Sequence, residues 1–92
     1  MRESKVEKDI WQYAEATGWF VAKVVSPGKR GMPDRVFIKD GVTLWGEIKA
    51  PDEEARRQQQ VRIRDMRKAG ALVFVWDNYD TARRTLDDYR LL

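Results

Sequence analysis

Apolar residues recur along this chain with two periods, and the changes from one to the other mark its elements. Over residues 4–17, Val6, Ile10, Tyr13, Ala14 and Thr17 return at helical spacing. Ser4-Lys5-Val6-Glu7 has the form of a capping box, and Gly18 is a stop signal. Successive helical residues turn by about 100°, which sets Glu7 beside Ala14 on the border of the apolar face. Glu3 and Lys8 lie more freely in solvent. Glu7 therefore either caps the helix or reaches into whatever the apolar face covers.

Trp19 to Val25 is rich in aromatic and β-branched residues and reads as a strand. Ser26-Pro27-Gly28-Lys29-Arg30-Gly31 follows as a mobile basic loop, without the spacing of a P-loop. Asp34 to Ile38 and Val42 to Ile48 are two further strands. Lys39-Asp40-Gly41 joins them with a hairpin signal and makes them antiparallel neighbours. Pro51 ends the pairing, Asp52 is placed to cap a new helix over residues 53–69, and Gly70 stops it. Ala71 to Trp76 is apolar throughout and is expected to be buried on both faces. A last helix starts at Asp80-Thr81-Ala82, with Leu86 and Tyr89 toward the core. The order α-β-β-β-α-β-α predicts an α/β fold. With no repeats and no dividing linker, residues 1–92 are expected to form one domain.

Three charged residues stand out against this pattern. Strand alternation puts Trp45, Glu47 and Lys49 on one face and Leu44, Gly46 and Ile48 on the other. Asp34 opens the partner strand, so the hairpin brings it close to Glu47 and Lys49. Charges set in apolar runs are usually paired or bound to a metal. On the helix that follows, Ala55, Gln59, Ile63 and Met66 form one stripe, which selects Gln59 from Gln58-Gln59-Gln60 as the inward amide.

Composition narrows the chemistry. The 92 residues contain no Cys and no His, which removes thiolate chemistry, most zinc sites and a histidine base. A metal here would take oxygen ligands, favouring Mg²⁺ or Mn²⁺. Asp34 and Glu47 are the candidate ligands, with the Ile48 carbonyl between them and Glu7 joining directly or through water. Such a metal would polarise a phosphoryl oxygen. Lys49 would stabilise the charge growing on phosphorus or orient the attacking water, and Gln59 would position that water or Lys49. A structural Glu-Lys pair beside an Asp cap is the plainer alternative. Eighteen basic against 15 acidic residues give a net charge of +3, compatible with nucleic acid but not diagnostic of it. Lys29, Arg30, Arg35, Arg56 and Arg62 are the candidate DNA contacts. The loop cations and the helix cations read equally as solvated surface.

Pro33-Asp34 followed by Glu47-Ile48-Lys49 resembles the PD-(D/E)xK nuclease motif. With Glu7, the Gly31-Met32-Pro33-Asp34 turn, Gln59, and Gly70 before an apolar strand, nearly the whole chain is similar to the VRR-NUC (virus-type replication-repair nuclease) family. One departure is Asp52-Glu53-Glu54-Ala55-Arg56-Arg57 where the family usually has Ser-Pro, which leaves the helix start open. The resemblance implies a restriction-endonuclease-like core, a mixed sheet of about four strands flanked by helices. It implies a divalent-metal-dependent DNA endonuclease with Asp34 and Glu47 on the metal, Lys49 catalytic, and Glu7 and Gln59 in support.

Small members of the family resemble phage or prophage proteins that cut branched DNA. The expectation is a homodimer resolving four-way (Holliday) junctions, with Trp11, Val61, Tyr79, Tyr89, Leu91 and Leu92 as candidate contact residues. Flap, nicking or general DNA cleavage, RNA cleavage, and non-catalytic binding of branched DNA are the rivals. With no spanning segment and no apolar leader after Met1, no membrane partner and a cytoplasmic location in a bacterial host are expected.

Overall fold

A computed structural model describes residues 2–90. Helix α1 (Glu3–Ala16) is followed by β1 (Phe20–Lys23), β2 (Arg35–Lys39) and β3 (Val42–Ile48). Helix α2 (Arg57–Lys68), β4 (Leu72–Trp76) and α3 (Tyr79–Arg90) complete the chain. The strands lie in the order β1-β2-β3-β4, antiparallel for the first two pairings and parallel for the last. This is the α/β architecture expected from the sequence, with a mixed sheet of four strands between helices.

The hairpin between β2 and β3 forms as its Asp-Gly signal predicts. Lys39 pairs with Val42, leaving Asp40 and Gly41 as a two-residue loop. Both take positive φ, 49° and 83°, the backbone of a type I′ turn. One sheet face carries Val21, Phe37, Leu44, Ile48 and Trp76 into the core, where Val6, Ile10 and Ala14 of α1 and Ala82 and Leu86 of α3 meet them. Gly46 belongs to this face for a steric reason. A Cβ there would lie 2.7 Å from a Trp76 ring carbon and 3.0 Å from one of Phe37. Helix α2 packs on the opposite face, where its Ile63 is buried.

Several expectations change. Helix α1 starts at Glu3 with Arg2 as its N-cap and no side-chain cap, so the Ser4 capping box does not form. Glu7 turns to another partner instead. Strand β1 covers Phe20–Lys23 only, and Val25 beyond it is exposed. Helix α2 begins at Arg57 rather than residue 53. Asp52 is in the left-handed region, φ 64°, within a turn, and its N–H donates to Asp77 Oδ2 at 3.0 Å. Strand β4 is a sheet edge, not a doubly buried centre: Val73 and Trp76 are buried while Leu72 and Val75 are exposed.

The expected association residues are also largely absorbed. Trp11, Tyr79 and Tyr89 pack against the core, with Tyr79 edge-on to Tyr13 and Tyr89 edge-on to Phe74. Val61 is half-buried. Leu91 and Leu92 lie outside the described residues. The large apolar side chains left in solvent include Phe20 (63% exposed) and Ile38 (39%), paired neighbours on the α2 side of the sheet. Among the described residues, no helix is long and apolar enough to cross a membrane.

Candidate active site at the ends of β2 and β3

Glu47 closes β3 on the α2 face, and Lys49 follows just past the strand end. Both are charged, yet they are only 8% and 6% exposed. Their groups face one another, Lys49 Nζ 3.6 Å from Glu47 Oε2. The Lys49 N–H donates to the Trp76 carbonyl at 2.8 Å, which extends the β3–β4 pairing to Lys49 and fixes its backbone. Gln59 reaches in from the first turn of α2. Its Nε2 donates to Glu47 Oε2 at 2.9 Å, while its Oε1 accepts the Arg56 N–H at 2.8 Å. One amide thus satisfies an open N–H at the helix start and orients the Glu47 carboxylate. Gln59 is the inward glutamine of its run, as the helical stripe indicates.

Asp34 stands just before β2. The register pairs Arg35 with Gly46, so one step further sets Asp34 across from Glu47 on the same face. The Asp34 carbonyl accepts the Val24 N–H at 2.8 Å, which anchors it toward β1. The next residue, Arg35, points to the other face, beneath α1. Arg35, expected from the sequence to contact DNA, does not do so: its side chain is 5% exposed and already engaged. Its guanidinium donates to Glu7 Oε1, sits 3.2 Å from both Asp34 Oδ2 and the Asp34 carbonyl oxygen, and lies over the Trp11 ring at 5.5 Å. Only its Nε is buried without a partner.

Glu7 is therefore occupied by Arg35 from the α1 side of the sheet. Among the described residues, no three acidic side chains gather closely enough to hold an ion between them. The three-carboxylate arrangement that included Glu7 is not assembled. Asp34 and Glu47 remain, with oxygen donors suited to a hard divalent ion.

The charge balance at Glu47 supports that fit. Burial raises its pKa above the ordinary 4.5, the neighbouring Asp34 carboxylate raises it further, and Lys49 offsets only part of this. Glu3, which the helical wheel left in free solvent, adds a further negative charge felt at Glu47. A cation between Asp34 and Glu47 would relieve this repulsion. Because the folded state holds the Glu47 proton more tightly than the unfolded chain, stability is lost as pH rises from 4.5 through the raised value. Without divalent ions, Glu47→Gln is therefore expected to melt higher than the native chain at neutral pH, by about 2–5 °C. The gain should vanish below pH 4.5 and reverse when Mg²⁺ stabilises only the native chain. Thermal melts at several pH values, with and without Mg²⁺, check this.

The basic loop is pinned to α2. Arg62 Nε donates to the Arg30 carbonyl at 3.1 Å, and Gly31 takes φ 78° against the first turn of α2. A Cβ on Gly31 would lie 2.5 Å from the Gln58 oxygen and 3.0 Å from the Gln59 nitrogen. Gly31→Ala should thus force the loop and α2 apart and draw Gln59 from Glu47. The expected result is a loss of about 1–3 kcal/mol in stability and a drop of tenfold or more in activity, read by denaturant melts and cleavage rates.

Of the other candidate DNA contacts, Arg62 is turned to its own loop and pairs loosely with Asp65 at 3.9 Å. Lys29, Arg30 and Arg56 stay exposed. Lys23 reads in the sequence only as a strand residue. It lines a cleft of about 290 Å³ together with Lys29 and Asp34, at the end of β1 where it pairs with Arg35. A roomier cleft of about 500 Å³ lies away from the carboxylates, between α2 and Val75.

No family model matches the sequence. A curated relative, "Putative nuclease p44" of Acyrthosiphon pisum secondary endosymbiont phage 1, is 35% identical over 81 residues, covering 87% of each chain. A solved structure titled "VRR_NUC domain" superposes with a TM-score of 0.84 at 28% identity, covering 95% of this chain and 96% of its own. The hairpin acids, the buried lysine and the helix glutamine thus sit in a fold and a sequence both shared with nucleases, and the chain belongs to the VRR-NUC family of PD-(D/E)xK nucleases.

Proposed function

We propose that this chain is a divalent-metal-dependent DNA endonuclease that acts as a homodimer on branched DNA, four-way junctions first. The observation that carries the reading is the nearly dry Glu47–Lys49 pair, oriented by Gln59 and facing Asp34 across the hairpin. A buried ion pair costs desolvation and is weak support for stability alone. A site that must meet a phosphate gives that cost a purpose.

Asp34, Glu47 and the Ile48 carbonyl are the groups that would hold Mg²⁺ or Mn²⁺, which would supply Lewis acidity toward the phosphate. Lys49 offers its ammonium to a phosphoryl oxygen as negative charge grows in the transition state. Gln59 holds the Glu47 carboxylate in place through its Oε2. Arg35 and Glu7 brace Asp34 from behind the sheet. In the reaction water attacks phosphorus, the bond to one ester oxygen breaks, and that oxygen takes up a proton.

Two points support the finer reading. The phage source of the relative fits a junction-processing role in phage DNA. Phe20 and Ile38 form an open apolar pair on the sheet that a second copy would cover. A two-fold dimer holds two sites at a fixed separation, which suits two strands of a junction.

The test is a panel of labelled four-way junction, flap, nicked and linear duplex DNA, cut with Mg²⁺, alongside the mass of the native protein in solution. Preferred cutting of the junction by a species of twice 10.8 kDa is expected. Equal cutting of all substrates would make this a general endonuclease. Tight binding of branched DNA with no cutting by Mg²⁺ or Mn²⁺ would make it a binding module.

A further inference from the structure

The cleft beside Asp34 has no part in the site as described so far. It runs between the end of β1 and the basic loop, lined by Lys23, Ser26, Lys29 and Asp34 together with the apolar Val24, Val25 and Met32. Among the described residues, neither the Lys23 nor the Lys29 ammonium has an ion-pair or hydrogen-bond partner. Most cations nearby are committed elsewhere: Arg35 to Glu7 and Asp34, Arg62 to the Arg30 carbonyl, Lys49 to Glu47. Two exposed lysines without partners therefore line one small cleft together with a candidate metal ligand, Asp34.

Hydrogen bonds brace the walls of this cleft. Val24 is held to the Asp34 carbonyl, the Lys29 N–H donates to the Ser26 carbonyl at 3.3 Å, and the loop is strapped to α2 through Arg62 and Gly31. The cleft has no aromatic wall on which a base would stack. A lysine ammonium is a compact point charge that binds phosphate without reading sequence.

We propose that Lys23 and Lys29 form a seat for a second phosphate, the one next to the cleaved phosphate on the same strand. The proposal rests on the nuclease reading above and extends it. A strand that places one phosphate against Asp34, Glu47 and Lys49 runs its neighbour into the cleft. The seat fixes the path of the cut strand by charge and leaves base identity unread, as suits an enzyme that recognises DNA shape.

The test uses the native chain, Lys23→Ala, Lys29→Ala, and Lys8→Ala as a control cation on the exposed side of α1. Substrates are a set of oligonucleotides cut with Mg²⁺, each with one phosphate near the scissile bond replaced by an uncharged methylphosphonate. For the native chain, one neutral replacement flanking the scissile phosphate should raise KM about five- to tenfold, with kcat within twofold. Lys23→Ala and Lys29→Ala should each raise KM on the unmodified substrate by a similar factor. Each should also flatten the dependence of log affinity on log salt by about one. With either variant, the penalty for that one methylphosphonate should largely disappear, while Lys8→Ala keeps it. If the native chain cuts DNA but the variants keep the full methylphosphonate penalty, or Lys8→Ala changes as much as they do, the seat is overturned and the nuclease reading stands. If the native chain cuts nothing, both fall.

Discussion

Lys49→Ala is expected to fold, to bind branched DNA within about threefold of the native affinity, and to lose cleavage by a factor of 10² to 10³ or more. The size follows from what is removed, a donor aimed at developing charge inside a water-poor site. Lys49 is 6% exposed and faces Glu47, so no solvent cation takes its place at the same point. The variant also leaves Glu47 with burial and Asp34 pushing its pKa up and no ammonium to oppose them. Single-turnover cleavage with Mg²⁺, paired with circular dichroism and a binding titration, separates chemistry from folding and affinity. Cutting at the native rate would remove Lys49 from the mechanism.

Arg35→Met is expected to be among the most destabilising single changes, at about 2–3 kcal/mol, with a fall in Tm of about 10–20 °C. The methionine fills much of the space but strips Glu7 and Asp34 of their shared cation and the Trp11 ring of its guanidinium. Breaking a fully buried pair costs about 3–5 kcal/mol. Here the two carboxylates are 33% and 48% exposed, so solvent screens part of the loss. Arg35→Lys should fall between the two, because it keeps the charge without spanning both acids. Chemical denaturation of the three proteins measures the order, and a native-like Arg35→Met would show that the bridge contributes nothing.

The parts of the fold legible in the sequence were those written in local chemistry. Asp40-Gly41 dictates its own turn, and that turn alone delivers Asp34 opposite Glu47. Gln59 was legible because helical spacing reports facing direction. The misreadings have a common origin, a distant partner that outcompetes a local one. Asp52 looked like a helix cap, but its N–H finds Asp77 Oδ2, 25 residues on, and α2 starts four residues later than expected. Glu7 looked like half of a capping box, yet it meets Arg35 across 28 residues. Arg35 read as a surface cation because no single-chain pattern announces a guanidinium under a helix. Strand β4 read as central because its outer apolar residues look the same as inner ones. Only the sheet order shows that it is an edge.

The hydrogen bond from the Lys49 amide to the Trp76 carbonyl ties the site to a core residue. Trp76 is core, wedged against Phe37 and stacked with Phe74. The amide proton of Lys49 can therefore trade with solvent deuterium only when the end of β3 parts from the edge strand β4 at Trp76. Fraying of the basic loop or of the start of α2 can loosen the grip on a substrate while this residue stays in register.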